Sequence, residues 1–130
     1  NRGGLLIIDY GYLQKKMKNT LKSISKHNFK DILENFSKSD ISHDLNLKLI
    51  EKIVTKLGLK VNGLTNQKKF LQELGISERA EMISKNLPFS EKVNIHFRLK
   101  KLIDDKEMGK LFKVMFITKK NTKFKIGFQN

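Results

Sequence analysis

The chain has 130 residues and no cysteine, which excludes disulfides, thiolate zinc sites and a cysteine nucleophile and agrees with a reducing compartment such as the cytosol. Apolar residues make up 38% and charged residues 31%, the balance of one folded domain and not of a disordered tail. The longest apolar run, residues 5–8, is far shorter than the roughly 20 residues of a membrane span, so neither a membrane protein nor a signal peptide is expected.

The charge balance is strongly basic, with a net charge of +14 from 27 basic and 13 acidic residues. Such a surplus attracts polyanions such as RNA or acidic lipid. However, only three of these residues are arginine, and the 24 lysines are spread evenly along the chain, as on a solvated lysine-rich surface. The composition favours such a surface and leaves nucleic-acid binding open.

A buried strand is predicted near the beginning of the chain. Residues 5–8 are Leu-Leu-Ile-Ile, apolar on both faces like a parallel strand between helices. Asp9 follows at the carboxyl end of this strand, where open α/β sheets bind their ligands. Because a central parallel strand needs neighbours, we expect that further strands of the domain precede residue 1.

Helices and one strand are predicted in the middle of the chain. Apolar residues at helical spacing predict five helices, over residues 29–36, 45–57, 66–74, 78–85 and 91–103. The predicted N-caps of the last four are, in order, Asp44, Thr65, Ser77 and Ser90. Gly58 and Gly75 are placed to end two helices. Residues 59–63 alternate like a short strand, and residues 12–27 remain open between helix and extended chain.

The end of the chain is predicted to be a hairpin. Residues 111–118 form a strand that is apolar on both faces, and residues 119–122 make the turn. Residues 123–128 then alternate lysine with apolar side chains, which indicates a terminal strand.

Acidic and imidazole groups come together in residues 40–44, Asp-Ile-Ser-His-Asp. This segment suits the capping of the following helix and equally a polar site. The three histidines lie far apart without the spacing of metal ligands, so no metal is expected.

Five stretches of the sequence, in this order, resemble the C-terminal half of the MidA-type methyltransferases, a family of S-adenosylmethionine-dependent enzymes. The stretches are residues 3–11, GGLLIIDYG; Asn19-Thr20-Leu21 with His27; Asp40-Ile41-Ser42 with Asp44; Gln67 with Phe70-Leu71, Leu74-Gly75-Ile76 and Arg79; and Met108-Gly109 with residues 111–114. Together they extend from one end of the chain to the other. Ser42, where the family usually has Thr, and Asn46, where it often has Asp, are mild departures.

The resemblance implies an α/β fold, the C-terminal part of a Rossmann-like class I methyltransferase sheet. Residues 5–9 would be the fifth of seven strands, and residues 59–64 and 111–118 the last pair, with the final strand antiparallel and inserted between its predecessors. Residues 1–130 would be a single partial domain. The glycine-rich turn and the acidic residue that hold S-adenosylmethionine would belong to an N-terminal half outside this chain, so the isolated chain is expected to bind cofactor weakly or not at all.

The resemblance also implies an activity, protein-arginine N-methylation, akin to the mitochondrial factor that methylates a respiratory complex I subunit. Carboxylates can orient a guanidinium and accept its proton, and Asp9 and Asp44 are the expected catalytic acids. The expected substrate-binding residues are Tyr10, His27, Asp40 and Gln67. The expected partners are a protein with a target arginine and the N-terminal half of the same enzyme, in the cytoplasm or, in a eukaryote, the mitochondrion.

A second hypothesis is a small basic module that binds RNA or an acidic protein surface without catalysis. Its main support is residues 119–125, where lysines are interleaved with Phe124 and followed by Phe128, a pattern that combines phosphate attraction with base stacking. The same residues suit an edge hairpin whose lysines discourage aggregation.

Overall fold

The computed structural model describes residues 3–26, 28–33, 38–122 and 126–128. Its main sheet contains, in spatial order, β5 (Leu45–Asn46), β1 (Gly4–Tyr12), β7 (Phe112–Lys119) and β6 (Leu59–Asn66). A second sheet contains β3 (Asn28–Lys30), β2 (Lys22–Ser25) and β4 (Asp40–Ser42). The helices are α1 (Leu47–Lys56), α2 (Gln67–Glu73), α3 (Ile76–Ser84), α4 (Phe89–Ile103) and α5 (Met108–Leu111). The predicted α/β class is confirmed.

The last strand, β7, is inserted between β1 and β6 and runs antiparallel to both. Met115 lies opposite Ile7 on one side and opposite Leu64 on the other. Therefore β1 and β6 are parallel to each other, and their carboxyl ends lie at the same edge of the sheet. This is the strand order that the resemblance implies.

The core lies between α1 and one face of the main sheet. Leu47 and Val54 of α1 are buried against Met115 and Ile117 of β7, with Ile7 packed beside them. Leu47 and Val54 are seven residues apart and so lie on one face of the helix. Gly58, at φ 75°, follows α1 in the left-handed conformation that was predicted to end it.

The N-caps of the helices differ from the predicted residues by one or two positions. Asn46, and not Asp44, caps α1 by accepting a hydrogen bond from the Leu49 amide at 3.1 Å. Asn66, and not Thr65, caps α2 in the same way. The helices α3 and α4 begin one residue before the predicted caps Ser77 and Ser90, respectively. Because Asn, Asp, Ser and Thr are similar as caps, residue type alone does not decide among neighbours.

The predicted helix over 29–36 is wrong in its described part. Residues 28–30 form β3, with Phe29 opposite Ile24, while residues 34–37 lie outside the described residues. The strand β2 also resolves the open alternative for residues 22–25 in favour of extended chain. Backbone pairing between short strands outweighs the helical spacing of a few apolar residues.

The predicted terminal strand is not formed by residues 126–128, and residues 123–125 lie outside the described residues. The turn before them is confirmed, since the Thr122 amide donates to the Lys119 carbonyl at 3.1 Å. Phe128 packs against Phe70, with ring centroids 5.1 Å apart. It lies over Gly63, where a Cβ atom would approach its ring to 2.2 Å. The end of the chain thus covers the sheet face opposite α1.

The strand β1 is more exposed than a strand between helices. Leu5 and Leu6 are 57% and 45% exposed, and Ile8 is 43% exposed. One edge of β1 pairs with β7, while among the described residues the other edge is paired only at Gly11 and Tyr12. No helix in the described part of the chain has the length and hydropathy to cross a membrane.

Candidate functional site

The carboxyl end of β1 lies against the segment that leads into α1. The strand continues three residues beyond Asp9, to Tyr12, so Asp9 lies within the strand and not directly after it. Tyr10 is the last residue that pairs with β7, and Gly11 then pairs with Leu45. This approach is close, because a Cβ atom on Gly11 would come within 2.8 Å of the Leu45 carbonyl oxygen. The pairing places Asp44, one residue earlier, beside the end of β1.

Asp9 and Tyr10 face opposite sides of the sheet, since consecutive residues of a strand alternate. Asp9 shares its face with Ile7 and therefore lies on the α1 side, where it is exposed and its Oδ1 accepts from the Tyr10 amide at 2.7 Å. On the other side, the Tyr10 ring packs on Phe112 with centroids 4.1 Å apart. Tyr10 nevertheless remains 44% exposed. The two residues therefore do not line one common pocket within this chain.

The Thr20 hydroxyl forms hydrogen bonds with the backbone of Asp44. The Asp44 amide donates to Thr20 Oγ1 at 3.0 Å, and the Thr20 hydroxyl lies 3.5 Å from the Asp44 carbonyl oxygen. The Asp44 carboxylate itself is 3.4 Å from Lys22 Nζ. Its backbone is thus fixed, while the carboxylate makes one exposed ion pair within the described part of the chain.

Lys113 is connected to both predicted acids, to Asp9 by the strand register and to Asp44 by charge. It lies opposite Asp9 in the β1–β7 register and is half-buried. Burial lowers the pKa of Lys113, and the negative charge of Asp44 acts in the opposite direction. Its ammonium group donates to the Lys110 carbonyl. Lys113 therefore lies opposite Asp9 in the ladder and is influenced by the charge of Asp44.

A cavity of about 340 Å³, here called the loop cavity, adjoins Asp44; it is lined by Tyr12, Leu49, Ile50 and residues 17–21 and 43–46. Tyr12 organises one wall, because its hydroxyl accepts from the Lys18 amide at 3.1 Å. The Lys18 ammonium group also lies 5.7 Å from the centroid of the Tyr12 ring. The cavity thus has both a carboxylate and an aromatic ring in its wall, groups that suit a cationic side chain.

The other predicted site residues have different surroundings. Asp40 is exposed in β4, opposite Ile24, and so belongs to the second sheet. Gln67 follows β6 at the same edge of the main sheet as Asp9, but it is only 7% exposed and its Nε2 donates to the Leu102 carbonyl at 2.9 Å. His27 lies outside the described residues. The structure brings Asp9 and Asp44 to one end of β1 and uses the Gln67 side chain to join α2 to α4.

Sequence reasoning missed Thr20 and Lys113 as parts of this site. Thr20 contacts Asp44 across 24 positions of sequence, and its only signal was its presence in a stretch that resembles the family. Lys113 sits in an otherwise apolar strand, facing Asp9 across the ladder. An isolated charge in a buried strand is the signal that could have identified it.

One of the two aromatic rings on which the RNA-binding hypothesis depends, that of Phe128, packs inside the fold. Phe128 packs between Phe70 and Phe116, with centroids 5.1 and 6.4 Å away, so this ring is committed to internal packing. Phe124 lies outside the described residues.

Comparisons with known proteins agree with this architecture. A family model described as "Putative S-adenosyl-L-methionine-dependent methyltransferase" matches residues 1–65. The structure is similar to that of an uncharacterized COG1565 superfamily protein from Burkholderia thailandensis, with a TM-score of 0.88 and 24% identity over 99% of this chain and 36% of that one. It is also similar to another member from Burkholderia thailandensis that is bound to S-adenosyl-homocysteine, with a TM-score of 0.76 and 24% identity over 99% of this chain and 33% of that one.

The two solved structures show the fold, and the chain spans about a third of their length. The family model covers half of the chain, and its described cofactor is the S-adenosylmethionine that was predicted. The chain therefore belongs to this family of S-adenosylmethionine-dependent methyltransferases.

Proposed function

We propose that the whole protein containing this chain is a protein-arginine N-methyltransferase of the MidA type. The observation that carries the proposal is the register near the carboxyl end of β1, where the pairing of Gly11 with Leu45 brings Asp44 beside the strand that carries Asp9, and Lys113 lies opposite Asp9. This is the end of an α/β sheet at which ligands bind. In this proposal the chain supplies acids on the acceptor side of the active site.

The residues of this chain are better suited to bind the arginine that accepts the methyl group than to bind the complete S-adenosylmethionine molecule. A cavity of about 730 Å³ beside α1 is lined by four lysines, which would repel a sulfonium cation. The Asp9 carboxylate and the half-exposed Tyr10 ring, in contrast, suit the neighbourhood of a cation. When bound, S-adenosylmethionine supplies a methyl group on a positively charged sulfur. We assign most of its binding to the N-terminal half of the enzyme.

The proposed role of the acids is to orient the guanidinium and to accept its proton. A carboxylate binds a guanidinium through two parallel hydrogen bonds and so fixes the direction of one nitrogen. Asp44 is held by Thr20 through its backbone, which leaves the carboxylate to exchange Lys22 for a substrate cation. Exposed ion pairs such as this one contribute only about 0–1 kcal/mol, so the exchange costs little.

The surroundings of Tyr10, Asp40 and Gln67 support their proposed substrate-binding roles to different degrees. Tyr10 and Asp40 are exposed, which leaves both side chains accessible to a substrate. Gln67 is occupied by its bond to Leu102, which favours a role in packing. The free edge of β1 supports an N-terminal half as partner, because neighbouring strands would satisfy its backbone groups. The proposed compartment is the cytoplasm, or the mitochondrion in a eukaryote.

The test is methyl transfer by the whole protein to peptides that contain arginine, with lysine peptides as control. We expect methylated arginine by mass spectrometry and a loss on the order of 10²-fold in turnover for Asp9→Asn, with cofactor binding retained in calorimetry. Transfer to lysine only, or an unchanged rate for Asp9→Asn, would contradict the proposal.

A further inference from the structure

A groove of about 730 Å³ runs along α1, next to the loop cavity. We call it the lysine groove; it is lined by Lys15, Met17, Asn46, Lys48, Leu49, Glu51, Lys52, Thr55 and Lys56. Lys48, Lys52 and Lys56 recur every four residues, so they lie on one face of the helix. Lys15 faces them from the loop after β1.

The positive charge of this groove is largely uncompensated. Lys48 is paired with Glu51 at 2.7 Å, but Lys15, Lys52 and Lys56 make no ion pair with any described residue. Like charges four residues apart on a helix destabilise it slightly. The arrangement therefore favours an anionic ligand that neutralises several ammonium groups together.

The lysine groove and the loop cavity share three wall residues, Met17, Asn46 and Leu49. One site thus has a carboxylate, Asp44, at one end and three free ammonium groups at the other. A ligand that is cationic at one point and anionic a short distance away matches both ends. Leu49, which is 43% exposed, and Met17, which is 67% exposed, offer apolar contact between them.

The lining favours a peptide over a nucleic acid. Single-stranded nucleic acids bind through aromatic side chains that stack on bases, and none of the described residues in the wall of the lysine groove is aromatic. Lysines bind carboxylates as point charges and need no forked geometry.

We propose that the lysine groove binds an acidic segment of the protein substrate, adjacent in that substrate to the arginine that enters the loop cavity. The inference rests on the proposed function, whose substrate class it narrows. Arginines next to aspartate- or glutamate-rich sequence would be preferred as methyl acceptors. The groove would act on substrate affinity, while the carboxylates act on the transfer.

The direct test is fluorescence anisotropy of a labelled oligo-glutamate peptide with the whole protein. We expect the triple variant Lys15→Gln, Lys52→Gln, Lys56→Gln to bind this peptide about 10-fold more weakly at low salt. The matched control, Lys85→Gln, Lys92→Gln, Lys101→Gln, removes the same charge from exposed positions elsewhere and should change binding less than about 2-fold. Equal weakening in both variants, or no peptide binding by the wild type, would overturn the inference.

Two further measurements separate this inference from the proposed function. With arginine peptides that do or do not carry an acidic flank, the groove variant should raise KM only for the flanked peptide and leave kcat unchanged. A lysine-dependent preference for labelled oligouridylate over oligo-glutamate would show a nucleic-acid site and refute the peptide assignment. If oligo-glutamate binding depends on the groove lysines while arginine peptides are not methylated, the groove assignment stands and the proposed activity is wrong.

Discussion

Thr20 accepts the backbone amide of Asp44 at 3.0 Å and thereby joins the loop after β1 to the segment before α1. The contact links residues 24 apart in sequence and is partly buried. It positions the Asp44 backbone without engaging its carboxylate. The geometry of the candidate site therefore depends on a hydroxyl group that has no expected role in the chemistry.

Replacing Thr20 by Val should destabilise the whole protein by about 1–3 kcal/mol, because the Asp44 amide loses its partner. Thr20→Ser keeps the hydroxyl and is the matched control. Urea denaturation followed by fluorescence would measure the difference. A stable Thr20→Val variant with unchanged activity would show that the hydrogen bond does not position the loop.

Asp44→Asn should lower turnover on the order of 10²-fold in the whole protein, because a neutral amide neither orients a guanidinium nor accepts its proton. The variant keeps the backbone contacts with Thr20, and since Asn46 caps α1, it leaves the helix cap intact. The change in stability should therefore be below about 1 kcal/mol, the value of the exposed pair with Lys22.

The control for this variant is Lys22→Gln, which breaks the same 3.4 Å ion pair and keeps the carboxylate. We expect near-normal turnover for the control. Equal losses in both variants would assign the effect to the ion pair and not to the acid.

The pKa of Lys113 should fall further in Asp44→Asn, because the negative charge of Asp44 now opposes the lowering caused by burial. NMR titration of the Lys113 side chain would measure it. A lysine whose pKa is lower in the folded chain than in the unfolded chain destabilises the fold when it is charged in both. This penalty is therefore fully present below the pKa of the folded chain. It disappears as the pH rises to the pKa of the unfolded chain, about 10.4. An unchanged pKa in the variant would contradict the electrostatic link between these two residues.

Asn46→Ala should destabilise the protein by about 1 kcal/mol or somewhat more, since the Leu49 amide loses its cap. Asn46→Asp keeps the acceptor and adds a favourable charge at the helix N-terminus, so it should be neutral or stabilising. Thermal unfolding of the two variants would rank them. If Asn46→Asp were the more damaging change, the cost of placing a carboxylate at this buried position would outweigh the cap.

Gln67→Leu should lower stability by about 1–3 kcal/mol, because the half-buried Leu102 carbonyl loses its donor. Gln72→Leu, at an exposed position of the same helix, is the control. The KM of the folded Gln67→Leu enzyme for its acceptor should not change. A raised KM at unchanged stability would instead support the substrate-binding role that the resemblance implies.

Long elements with repeated burial could be predicted from the sequence. The strands β1, β6 and β7 and the helix α1 each contain several apolar residues at the spacing of their structure, and their approximate limits agree with the prediction. The insertion of β7 between its neighbours was implied by the resemblance and not by any local pattern. Asp9 stands out in the sequence because it follows an apolar run, whereas Asp44 was singled out by the polar segment of residues 40–44 and by the resemblance.

The tertiary structure alone decided how these parts meet. The strands β2, β3 and β4 have three or four residues each, too few for a periodic signal, and they exist through pairing with one another. The choice of Asn46 over Asp44 as the cap of α1 followed from the pairing of Leu45 with Gly11, which moves the beginning of the helix by two residues. Local sequence determines which residues are buried together within one element, whereas contacts such as Thr20 with Asp44 depend on backbone positions set by distant parts of the chain.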